Sequence, residues 1–344
     1  MSEEAEPKSE EAEATALPSN APVSDWDYAK AYAGLLGAPH RLFTNNIRYL
    51  RSQADKTDNL FLPSGAARQY PLSTIIHSPS FKSVIYYAAA ALQKDKLQSL
   101  PALTPGSLLS VYPPEDLAAV IAITYLYRRT KKHVDPRVWE SVAGEVHVQM
   151  EAGYQIGLKI PAIGTSRGLL VGAVRYIAMA LFSKKDARGY KLYKRHLNEK
   201  ELLFDLAEET KLWHCNHLQI CSSMLQSIGY GLGAASGIMA VATPTEAQSH
   251  AELEKAQSWY ATRRWIEDLI QKSAAPQEFK DQGKFSMSEQ ELASVQERIE
   301  SIYEQGSSFD WVDKTKDDLP QALNEALTDA TVVNETEELP NDII

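Results

Sequence analysis

The stretch from Gly164 to Phe182 constrains the fold more than any other part of the chain. It reads Gly-Thr-Ser-Arg-Gly-Leu-Leu-Val-Gly-Ala-Val-Arg-Tyr-Ile-Ala-Met-Ala-Leu-Phe. Small residues (Gly168, Gly172, Ala173, Ala178, Ala180) alternate with large ones (Leu169, Leu170, Ile177, Met179, Leu181, Phe182). A helix apolar on all sides must be buried on all sides, and its small residues let neighbouring helices come close. The stretch approaches the length of a membrane span, but it carries Arg167 and Arg175 and opens on polar residues. It therefore predicts the central helix of a bundle and no membrane insertion.

The rest of the chain predicts helices around it. Ser24 caps a first helix containing Trp26, Tyr28 and Tyr32, which stops at Gly37 and Pro39. A second runs from about His40 to Gln53, followed by a polar loop over 54–77. Ser78 as cap and Pro79 in the first turn predict a helix to Leu92, and 94–112 reads as a loop. Pro113-Pro-Glu-Asp starts a helix over Leu117–Arg129, and Asp135-Pro136 starts one that ends near Lys159. After the central helix the spacing predicts helices at 186–196, 198–209, 210–228 and 234–241, with a turn at 229–233. Thr243-Pro244 opens a longer helix carrying Trp259, Trp265 and Leu269. No β-branched run alternates with polar residues between turn signals, so the expected class is all-α, a bundle of about ten helices.

Charge divides this chain. Residues 1–23 hold six acidic residues and one lysine, and 272–344 hold 17 acidic residues against six basic ones. The part between, 24–271, has 28 basic against 22 acidic residues. The expected organisation is an acidic disordered tail over 1–23, a helical domain over 24–271, and a second acidic tail over 272–344. Within that second tail, Ser286–Glu304 reads as one helix, and Phe309-Asp-Trp-Val312 is an aromatic island in an otherwise disordered segment 305–344. Two cysteines and an N-terminus without an apolar run predict a cytoplasmic protein with neither a disulfide framework nor a secretory signal.

Three constellations carry chemistry. His214, His217 and Cys221 stand at spacings of 3 and 4, which puts them on one face of one helix, while Glu209 points off that face. They are the best candidates for a metal, although one straight helix seldom closes a tetrahedral site, and a set of polar groups on a packed helix is the simpler reading. The second is the basic run Arg128, Arg129, Lys131 and Lys132 ahead of His133. The third is Lys184, Lys185, Arg188, Lys191, Lys194 and Arg195, with Tyr190 and Tyr193 interleaved. Lysines and tyrosines in that arrangement can hold phosphate and stack on bases, while a solvated face and a helix C-terminus account for the same residues without a ligand. Gly229-Tyr-Gly-Leu-Gly233 has neither the strand before it nor the Lys-Ser/Thr after it that a phosphate loop requires. No cofactor is expected.

Over 112–233 the order of features resembles the HDOD domain, the HD-related output domain of bacterial signalling proteins. The resemblance rests on Pro113-Pro-Glu-Asp116, the Trp139 helix, Gly157, Ile160-Pro161-Ala-Ile-Gly164, Gly168-Leu-Leu-Val-Gly172 and the helix with His217. In that family a Trp-containing helix leads to a buried segment like Leu-Leu-His-Asp. Here Val171-Gly172 stands where the His-Asp pair would be, and the chain has no His-Asp dipeptide. The resemblance implies a bacterial, non-enzymatic signalling scaffold acting through protein contacts. The competing expectations are a metal-dependent phosphohydrolase with a rearranged site around His214, His217 and Cys221, and a nucleotide or nucleic-acid binding module built on 184–196.

Overall fold

A computed structural model describes residues 24–57, 72–247, 249–280 and 283–327; the expected tail 1–23 and the end of the second tail, 328–344, lie outside them, as does most of the expected loop 54–77. The described residues are all-helical, with no strand among them. The helices are α1 (Asp25–Ala33), α2 (Arg41–Thr57), α3 (Leu72–His77), α4 (Pro79–Leu92), α5 (Lys94–Gln98), α6 (Pro105–Ser110), α7 (Pro114–His133) and α8 (Pro136–Lys159). Then follow α9 (Thr165–Lys185), α10 (Ala187–Glu199), α11 (Leu206–Trp213), α12 (His217–Ser227), α13 (Gly231–Met239), α14 (His250–Lys272), α15 (Glu289–Gln305) and α16 (Gln321–Ala326).

The sequence signals of the starts are realised as hydrogen bonds in several places. Ser24 and Asp27 form a reciprocal box at α1, Asp135 accepts from Arg137 N–H at α8, and Ser288 pairs with Glu291 at α15. Ser78 takes the expected cap position of α4, but its hydroxyl makes no cap bond. The expected loop 94–112 contains two short helices, the second started by a Thr104–Ser107 box. The expected helix at 198–209 is replaced by an irregular link and α11, because Asp205 accepts the Glu208 N–H and starts a new helix there. The long helix expected from Thr243 begins only at His250, where the Ser249 hydroxyl accepts the Glu252 N–H.

Helix α9 is the centre. It packs against α7, α8, α10, α12 and α14. By length and composition it could cross a membrane, but it is buried within the bundle. Its closest neighbour is α8, and the glycines explain how near the two run. A Cβ on Gly153 would lie 2.1 Å from the Gly168 carbonyl oxygen, one on Gly168 1.9 Å from that of Gly153, and one on Gly172 2.2 Å from that of Gln149. Backbones that close admit no side chain between them.

The expected domain limit at 271 has no counterpart. Phe279, Phe285, Val295, Ile299, Phe309, Trp311 and Val312 belong to the same core as the residues of α9. Helix α15 is present as expected and packs on α8, and residues 306–327 beyond it stay on the bundle. Residues 310–313 form a short 3-10 turn against α4 and α7, with Trp311 1 % exposed. Acidic composition set the expectation of a tail; the buried side chains of Phe309, Trp311, Val312, Leu319 and Leu327 overturn it for 306–327.

Candidate functional site

The single-helix face that would hold His214, His217 and Cys221 does not exist. The helix expected over 210–228 breaks at His214, which adopts the left-handed conformation (φ 58°) and ends α11. Asn216 then starts α12 through a reciprocal box with Gln219. His214 turns outward and its ring lies 4.9 Å from that of Tyr28. Cys221 is buried and its thiol faces the Val174 carbonyl at 3.5 Å. Burial pushes that thiol well above its ordinary range, which suits a core residue and opposes a thiolate ligand. No group of three or more His, Cys, Asp and Glu able to hold a metal occurs among the described residues.

His217 instead pairs with Glu209, the carboxylate expected to point away. The break turns α11 back on α12, so that Glu209 receives the His217 backbone N–H at 2.7 Å and the His217 Nδ1–H at 2.8 Å. The Tyr193 hydroxyl donates to the same carboxylate. Both His217 and Glu209 are 0 % exposed. Burial lowers the imidazole pKa against the opposing pull of Glu209, which favours the neutral ring with its proton on Nδ1. The other ring nitrogen, Nε2, is buried without a hydrogen-bond partner. Phe204 stacks on the His217 ring at 4.2 Å and also meets the Arg175 guanidinium at 4.2 Å.

Arg175 connects this dyad to a second buried charge group. Its Nη2 donates to Glu267 at 2.7 Å, and Arg263 and Arg264 donate to the same carboxylate from α14. Burial opposes the Glu267 charge, but the three guanidiniums outweigh it and hold the carboxyl at about 2. In the sequence, Arg175 argues only against a membrane span. A buried arginine in the middle of an apolar helix also requires an acid, and that requirement is the signal that points to α14. The arrangement around His217 is a histidine–carboxylate pair of the kind that activates a nucleophile, but Phe204 and the packed core stand over it.

The basic residues also change meaning. Arg128 donates to the Lys314 carbonyl at 2.6 Å and Lys131 pairs with Asp313 at 2.8 Å, so half of the first cluster holds the chain's own C-terminal segment. Arg129 is half-buried over the Tyr125 ring, and Lys132 is exposed. In the second cluster Lys184, Lys185, Arg188, Lys191 and Arg195 are exposed, whereas Lys194 is half-buried with its ammonium over Tyr176. Tyr190 and Tyr193 are buried, so they present no ring for stacking. Burial lowers the His133 pKa, and the charges of Lys184 from the second cluster and of Arg129 and Lys132 from the first add to it.

One feature has no counterpart in the sequence motifs: an open apolar groove of about 640 Å³ between α1, α12, α13 and the connection to α14. Trp26, Leu232 and Val241 stand exposed at its edge, at 38 %, 61 % and 89 %. Its charged lining, among the described residues, consists of two carboxylates, Glu246 and Glu252. No protein-family model, curated protein or solved structure matches this chain.

Proposed function

We propose that the chain is a non-enzymatic regulatory scaffold that works through protein contacts, in the manner of the HDOD output modules that 112–233 resembles, in the cytoplasm of a bacterium. The carrying observation is the groove. Large apolar side chains left in water at one edge, on a molecule that buries most of its other aromatic residues, mark a contact surface. Its volume and helical walls suit an apolar helix face. Its two carboxylates, with no cation in the lining among the described residues, favour a partner helix that carries a lysine or arginine beside its apolar residues. The same charges disfavour this chain's own acidic ends, and a second copy would bring like charges together.

The test is fluorescence anisotropy of the full chain with a labelled amphipathic Leu/Lys helical peptide and its Leu/Glu counterpart. The reading expects micromolar binding of the first, weakened about ten-fold by Leu232→Asp with Val241→Asp, and weaker binding of the second by a similar factor. Equal binding by the variant removes the groove from the reading. Phosphohydrolase turnover that is lost in His217→Ala overturns the non-enzymatic reading itself, in favour of the metal-dependent alternative.

One observation favours a second reading, a polyanion-binding face. The C-terminal ends of α7 and α9 bring Arg129, Lys132 and Lys184 together, extended by Lys185 and Arg188. With Tyr190 and Tyr193 buried, such binding would depend on phosphate contacts and fall steeply with salt.

A further inference from the structure

A second, smaller pocket lies on the other side of the turn before α13. It has a volume of about 20 Å³, and its lining includes Arg51 of α2, Glu115 of α7, Arg167 of α9, and Lys255 and Trp259 of α14. Three cations face one carboxylate there. The Arg51 guanidinium donates to the Gly229 and Tyr230 carbonyls at 3.0 and 2.9 Å and stands 3.9 Å from Glu115, while its Nε has no hydrogen-bond partner. Arg167 donates to the Ala162 and Ile163 carbonyls at 2.8 and 2.7 Å. Carbonyl contacts fix both guanidiniums without neutralising their charge.

Three helices begin at this pocket. The first turns of α7 and α9 and the cap residue before α13 border it, and the caps Pro113, Gly164 and Tyr230 supply no side-chain hydrogen bond. Asp116 takes up part of the α9 start through the Thr165 hydroxyl, at 2.6 Å, and the Ser166 N–H. Helix starts carry partial positive charge, which adds to the three cations. An independent observation concerns Tyr230. It is 5 % exposed and lines the pocket, and its hydroxyl has no hydrogen-bond partner. The Arg51 guanidinium stands 4.8 Å from the Tyr230 ring centroid, and Glu115 and Arg167 line the same pocket. A buried hydroxyl without a protein acceptor, beside cations fixed in place, is a donor that an anionic oxygen can use.

We infer that this pocket binds a phosphoryl group, with Arg51, Arg167 and Lys255 facing its oxygens and the Tyr230 hydroxyl donating to one of them. Three cations against Glu115 and the neighbouring Asp116 leave the cluster net positive, which suits an anion, and two guanidiniums with one ammonium supply the several donors that phosphoryl oxygens accept. The volume admits the oxygens of one such group and excludes a base or sugar. The phosphoryl group can come from free phosphate or from a small phosphomonoester, since both present the same oxygens. The site would give the chain a ligand independent of the groove, and it stands whether or not the scaffold reading holds.

Calorimetric titration of the full chain with inorganic phosphate, against chloride at matched ionic strength, tests this. Phosphate-specific binding is expected. Tyr230→Phe removes only an unpartnered hydroxyl, so the variant folds with unchanged or greater stability, and its phosphate affinity falls about five-fold. Lys255→Met lowers the affinity about ten-fold. A parallel titration with phosphoserine separates the sources: tighter binding than phosphate assigns the site to a phosphomonoester, and equal or weaker binding assigns it to the free ion. Absence of phosphate-specific heat with both probes overturns the inference. So does an affinity that stays unchanged in both Tyr230→Phe and Lys255→Met.

Discussion

The His217 ring donates from Nδ1 to Glu209 at 2.8 Å, with neither residue exposed to solvent. Removing Glu209 leaves the His217 Nδ1–H buried and unpaired, and removing the His217 ring takes one of three donors from the buried Glu209 carboxylate and leaves a cavity under Phe204. His217→Ala and Glu209→Ala are each expected to cost about 3–5 kcal/mol. Glu209→Ala has the further effect of freeing the Tyr193 hydroxyl and the His217 N–H, both of which bond to that carboxylate. Urea unfolding of the two variants checks this. A loss below about 1 kcal/mol in both would show that the pair is not a structural element of the core.

The close approach of α8 and α9 requires a glycine at 172. Its Cα lies against the Gln149 carbonyl, leaving no volume for a methyl group and still less for a carboxylate. Gly172→Ala is expected to destabilise by about 3 kcal/mol or more. Gly144 lies on the exposed face of α8, and a Cβ added there would meet no heavy atom within 4 Å. Gly144→Ala is therefore expected to stabilise by about 1 kcal/mol, from helix propensity alone. Opposite signs for the two substitutions, read in the same denaturation assay, test the packing argument; the same sign refutes it.

What the sequence made legible was local. The apolar period of α9, the Asp135-Pro136 start of α8 and the Ser288 start of α15 depend on residues a few positions apart, and all three helices are where those signals put them. The break at His214 is hidden because the apolar spacing runs through it without a glycine or proline. Asn216 with Gln219 three residues on is the one local sign of it. The pairing of Arg175 with Glu267 spans 92 residues, and no local pattern encodes it. The groove is equally illegible, since it arises from where α1, α12 and α13 come to rest.

The segment after α15 shows composition and packing in conflict. Asp313 accepts from Lys131 at 2.8 Å and from the Tyr127 hydroxyl at 2.7 Å, and it lies 3.3 Å from His147 Nε2. Two residues earlier, Trp311 is buried against α4 and α7. Trp311→Ala is expected to cost about 3–5 kcal/mol in urea unfolding, which a disordered tail could not do. Burial opposes the Asp313 charge, but His147, Lys131 and Tyr127 outweigh it and hold the carboxyl below the usual range. The stability this gives is present above the unfolded-state pKa near 4 and is lost as pH falls through the folded value. Asp313→Asn should therefore destabilise at neutral pH and lose most of that effect in acid.

Asp116 has the opposite sign. Burial is the main cause that raises its carboxyl to about 6, with Glu115 adding to it, against the hydrogen bonds from Thr165 and Ser166. A folded-state pKa above the unfolded value near 3.9 means that Asp116 contributes most below the unfolded value, and that this contribution is lost as pH rises through about 6. Asp116→Asn cannot ionise and has no such loss. Between about pH 4.5 and about pH 8 the variant should gain about 2 kcal/mol relative to the parent chain, whatever its absolute stability. Paired urea titrations at the two pH values measure that difference directly. A stability difference that does not change with pH would mean that Asp116 stays ionised in the fold, held by the Thr165 hydroxyl and the Ser166 N–H. Asp116 also acts on the Tyr230 hydroxyl, so repeating the titrations with phosphate present tests whether the bound group shifts the same midpoint. An added dianion should raise it further, because it disfavours a second negative charge nearby.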